Sequence, residues 1–100
     1  MSSSAENQVE QLHELLKKFE AACRQIILLN NQLIDMQTRY DRAAAAGHRA
    51  FRYILRLRLM SVEGVRNCIY EYARNKGEEI EEMQTILIEA GILDVEHEPA

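Results

Sequence analysis

A chain of 100 residues makes one domain at most, and an apolar content of 47% sets it apart from disordered chains. Four glycines and a single proline, Pro99, are too little punctuation for a turn-rich β architecture, so an all-α fold is expected. The net charge of −4 argues against a strongly basic nucleic-acid domain, yet it hides a division of charge along the chain.

Residues 1–4 are expected to form a disordered N-terminus. Ser3 followed by Glu6 fits a capping box, which would start the first helix near Ser4. A helical domain is then expected over residues 5–93. Val9, Leu12, Leu16, Phe19, Cys23, Ile26, Asn30, Leu33, Gln37 and Tyr40 alternate by three and four, as in a heptad seam. Leu15, Ala22, Leu29, Met36 and Ala43 flank this seam on one side, and Ile27 and Ile34 on the other. Such a face is wider than a two-stranded seam and suits a bundle of three or more helices. Asn30 lies in mid-seam, where an amide weakens the core but penalises registers that leave it unpaired.

The run Ala43-Ala44-Ala45-Ala46 would prolong a helix, and Gly47 is the first residue able to stop it in a left-handed cap conformation. A turn is therefore placed at residues 45–49, with one helix running uninterrupted through Gly47 as the rival. In the second arm Leu55, Val62, Ile69, Lys76 and Met83 recur at heptad spacing. Leu59, Ala73, Ile80 and Leu87 form a neighbouring row, and Val65, Tyr72 and Ile86 another. Leu55-Arg56-Leu57-Arg58-Leu59 alternates like a strand but is enclosed by helical pattern and is assigned to the helix. Ser61 with Gly64, and Asn75-Lys76-Gly77, mark weak points in an otherwise continuous helix. Gly91 ends it, with Ile92 and Leu93 suited to the contact that follows a C-cap. Residues 94–100 form an expected acidic, flexible tail.

Together these elements predict a long antiparallel, coiled-coil-like helical hairpin whose surplus apolar face draws a second copy into a four-helix bundle. Leu12, Leu16, Phe19, Ile26, Asn30, Leu33, Leu55, Val62, Ile69, Ile80 and Met83 are the candidate oligomer core. Charge suggests an orientation. Arg39, Arg42, Arg49, Arg52, Arg56 and Arg58 gather at the turn with one acid, Asp41, whereas eight acids and no Lys or Arg follow Lys76. An antiparallel homodimer sets each basic tip against the other copy's acidic end. Arg42, Arg49, Arg52, Arg56, Arg58, Glu78 and Glu82 are the candidate partner-binding surface, for a second copy or another helical protein.

No motif supports catalysis or a cofactor. Glu10 and His13 have the spacing used in di-metal bundles, but the second pair and further carboxylates that chemistry needs are missing, so no metal site is expected. Neither Cys23 nor Cys68 has a histidine nearby in sequence; both are expected to be free thiols, and a disulfide between them would need close approach of the arms. Tyr70 and Tyr72 are read as packing residues with hydroxyls at the rim. The cations and aromatics between Arg39 and Arg58 make a nucleic-acid role the alternative, weakened by the expectation that Phe51 belongs to the core. Binding to anionic lipid finds less support, because no exposed apolar face is expected beside the arginines. The polar opening Met1-Ser2-Ser3-Ser4 has no leader pattern, and the longest apolar run, Ile26 to Leu29, is too short for a membrane span. The expectation is a non-enzymatic intracellular interaction module, cytoplasmic or nuclear.

Overall fold

Two long helices, α1 (Ser3–Ala45) and α2 (Arg49–Glu89), make up the computed structural model, which describes residues 3–93. The capping role expected of the Ser3 side chain and the acidic tail at 94–100 lie outside the described residues. Ser3 and Ser4, expected to precede the fold, form the first turn of α1.

Both helices end in the same way. Gly47 has φ +76°, its N–H donates to the Ala44 carbonyl at 3.2 Å, and the His48 N–H donates to Ala43 at 2.9 Å. Gly91 repeats the pattern with φ +74°, its N–H bonded to Ile88 at 3.0 Å and that of Ile92 to Leu87 at 2.9 Å. These paired bonds satisfy carbonyls that a helix end leaves open, and both require the left-handed backbone that glycine adopts without strain. Ile92 then packs back on the Leu87 cluster, anchoring the end of α2. Ala43-Ala44-Ala45 continues α1 as alanine favours, and the reversal occupies the residues around Gly47.

The arms lie side by side in an antiparallel hairpin with extents of 69 × 33 × 14 Å. At the open end Leu12 meets Ile80 and Leu87, with Leu16, Phe19 and Met83 packed around them. In the middle Ala22 and Ile26 meet Ala73 and Ile69. Toward the turn Leu33, Ala43, Leu55 and Leu59 are buried. Small side chains at Ala22, Ala43 and Ala73 let the helices approach closely, so the larger neighbours lose most of their exposed area to a single partner helix.

Two features of the seam differ from the heptad reading. On α1 the face that meets α2 is turned toward the Ala22–Ala43 side. Ala22 and Ala43 are buried, Cys23 and Asn30 are half-buried, Gln37 is exposed, and Ile27 and Ile34 stand in the open. One neighbour covers only one stripe, and this packing chose the small residues. On α2 the two rows expected to be neighbours merge into one seam, Leu55, Leu59, Val62, Ile69, Ala73, Ile80, Met83 and Leu87, alternating by four and three. Its two remaining members are the cations Arg66 and Lys76.

α2 runs without a break through Ser61, Gly64 and Gly77. At Gly77 the absent side chain faces Phe19, whose Cε2 lies 3.6 Å from where a Cβ would sit. Lys76 keeps its seam position because its stem lies along the helix while its ammonium reaches Glu79 at 3.1 Å and the Tyr72 ring at 5.4 Å.

Candidate interaction surfaces

The hairpin seam contains every residue expected in an oligomer core. Leu12, Ile26, Leu33, Leu55 and Ile80 are buried, and Leu16, Phe19, Asn30, Val62, Ile69 and Met83 are half-buried. Asn30 meets Arg66, whose Nη1 donates to Asn30 Oδ1 at 3.3 Å. The Arg66 Nη2 donates to Asn67 at 3.5 Å, the guanidinium lies 5.9 Å from the Tyr70 ring centre, and Nε is buried without a partner. Arg66 is half-buried at this seam position, and the amide of Asn30 answers only part of its donor set.

The charged residues separate as their positions in sequence require. Arg42, Arg49, Arg52, Arg56 and Arg58 surround the turn, and among the described residues none of them pairs with a carboxylate; Arg52 is half-buried and the other four are exposed. Arg49 and Arg52 occupy the first turn of α2, which has no acid there, and Glu89 closes a last turn that has no base. α1 is arranged the other way, with Glu6 in its first turn and Arg42 in its last. The charges of α2 thus oppose its helix dipole at both ends, at about 0.3–1 kcal/mol for each unfavourable charge. Glu78 and Glu82 are exposed with Glu81 along the far half of α2. The ion pairs that do form among the described residues are local ones within a helix, such as Arg39 with Asp35 at 3.2 Å and Arg74 with Glu71 at 3.0 Å.

Apolar side chains outside the seam were underestimated from the sequence. Phe51, expected in the core, is 49% exposed because it lies to one side of Leu55, beyond the reach of α1. Tyr70 and Tyr72 are also open, at the edges of the seam, each beside a cation. The densest exposure is on the back of α2, where Tyr53, Ile54, Leu57 and Met60 are 64, 46, 50 and 60% exposed. From Ala50 to Cys68 every residue within about 60° of Leu57 is uncharged, at 100° per residue. The strand-like alternation at residues 55–59 now has its explanation. Leu55 and Leu59 enter the seam, Leu57 points away from it, and Arg56 and Arg58 occupy the two flanks. A helix that is apolar on opposite faces is suited to burial between two neighbours.

Glu10 and His13 are both exposed, and no group of three or more His, Cys, Asp and Glu gathers among the described residues. Cys23 and Cys68 are free, the first half-buried and the second exposed. Among the described residues no helix is long and apolar enough to cross a membrane. No family model matches the chain, and no curated protein or solved structure matches it.

Proposed function

We propose that this chain is a non-enzymatic intracellular interaction module, a scaffold, adaptor or small subunit that self-associates through outward apolar helix faces. One observation carries the reading. With the hairpin seam already filled, twelve large apolar side chains among the described residues remain 43% exposed or more. Apolar area of this extent on so thin a hairpin is the usual mark of a protein–protein surface. A second copy running antiparallel suits the charge layout, since it brings arginines near the turn of one copy toward acids of the other. Light scattering coupled to size exclusion is the test: a particle of at least twice the 11.6 kDa chain mass is expected, and a monomer at about 100 µM, where even weak self-association is populated, would remove the self-association.

A nucleic-acid-associated role at the basic tip is the second reading, favoured by the exposure of Phe51 and Tyr53 beside unpaired arginines. Single-stranded nucleic acid is bound by this combination of stacking surfaces and cations. Fluorescence anisotropy with a labelled single strand at low salt tests it. Binding that weakens steeply with added salt and is lost in Arg49→Glu/Arg56→Glu would support this role, and no binding at low salt would end it.

A further inference from the structure

We infer that the back of α2 is an antiparallel docking surface for the same face of a second copy, centred between Met60 and Ser61. This rests on the self-association proposed above and goes further by naming the face, the centre and the register. The face is exposed from Tyr53 to Cys68 and opposes the hairpin seam, so using it leaves the hairpin intact.

Its side chains alternate in size about that centre. In an antiparallel pair centred there, Tyr53 lies opposite Cys68 of the second copy and Leu57 opposite Gly64, while Met60 and Ser61 flank the axis on either side, each near its own copy. Tyr53 and Leu57 thus meet small residues, which is how two helix surfaces interlock. At Gly64, two turns along the same face from Leu57, a Cβ would find nothing within 4 Å, so the position is open in the single hairpin. A parallel pair would instead stack Leu57 on Leu57 and leave two glycines facing each other.

The flanking charges select the same arrangement. Arg49, Arg56 and Glu63 lie along one edge of the face, and Glu71 lies on the same side just past its end, all four exposed. A two-fold axis across antiparallel helices keeps like edges together. Arg56 then approaches Glu63 of the second copy, and Arg49 approaches Glu71. A parallel two-fold pair would bring opposite edges together and set Arg56 near Arg58 of the second copy. Such rim pairs choose orientation more than they add affinity.

The test uses the full chain in a Cys23→Ser/Cys68→Ser background with single cysteines introduced on the back of α2. Oxidation is expected to link Ser61→Cys to its own copy, because the two positions sit across the centre. Asn75→Cys, on the same face, should not link, since its two copies would be about 43 Å apart along the axis. Efficient linking at Asn75 would overturn the antiparallel register, and no linking at Ser61 would overturn the centre. Leu57→Lys and, independently, Gly64→Leu should each raise the dimer dissociation constant at least about tenfold with helical content unchanged. Leu28→Lys, an exposed substitution on α1, should not change it. Dimers that persist unchanged in both α2 variants would dismiss this face while leaving self-association standing, whereas a monomeric wild type would dismiss both.

Discussion

Arg66 and Asn30 form the polar step in an otherwise apolar seam, and their energetics are unequal. The Arg66 Nε is buried without a partner even in the intact pair, and Asn30 accepts from Nη1 where the guanidinium is partly buried. Asn30→Leu alone should therefore destabilise the hairpin by about 1–3 kcal/mol, because a hindered donor loses its acceptor. Asn30→Leu combined with Arg66→Leu should recover most or all of that loss, as apolar groups then fill both positions. Urea unfolding of the wild type, the single and the double variant measures this non-additivity. Asn30 was visible in the heptad pattern, but its partner was not. Nothing local marks Arg66 as different from its neighbours, and only the phase of the whole seam brings it inward. The glycines make the opposite contrast. Gly77→Ala should stabilise by about 1 kcal/mol through helix propensity, with ordinary contact to Phe19. Gly47→Ala should destabilise by about 1 kcal/mol, since φ of +76° strains any side chain there.

Each helix presents more apolar surface than its neighbour in the hairpin can cover, and what is covered depends on packing. The existence of both arms, the left-handed glycines that end them and the continuity of α2 past Ser61 and Gly77 could be read from spacing and residue type, because these are local preferences. The choice between the Ala22 edge and the Ile27 edge of α1 could not. Both satisfy the same period, and the packing buried Ala22 and Ala43 while leaving Ile27 and Ile34 exposed. Substitutions should separate the covered from the uncovered. Leu87→Ala, at a fully buried position, should lower stability by about 2–5 kcal/mol. Leu28→Ala, at a position 62% exposed, should change it by no more than about 0.5 kcal/mol. Thermal unfolding followed by circular dichroism resolves the difference. The candidate surfaces divide in the same manner. The arginine cluster and the acidic half of α2 were legible as runs of charge. The uncharged back of α2 was hidden because Leu55, Leu57 and Leu59 read as one group until the seam showed them facing opposite ways.

The single hairpin is long and thin, 69 Å by 14 Å at its extremes, with a radius of gyration of 20.8 Å. A dimer with both hairpins fully overlapped would keep that length. A dimer centred on Met60 and Ser61 overlaps only the halves nearest the turn and should be longer by about 25 Å, at 1.5 Å per residue. The maximum dimension from small-angle scattering separates the two: a lengthened particle supports the back-of-α2 register, and an unlengthened dimer rejects it. The placement of charge belongs to the same level of organisation. The dipole of α2 disfavours its own terminal charges, so their arrangement is relieved only by something outside the helix.

Helix, turn and charge segregation followed from the order of residues, since each rests on interactions within a few positions along the chain. Which of several equivalent stripes became the seam, where Arg66 was drawn half-buried into it and which apolar face was left uncovered were decided by the packing of one helix on the other. Those outcomes depend on side-chain volume matched across space, and no local pattern in the chain encodes that match.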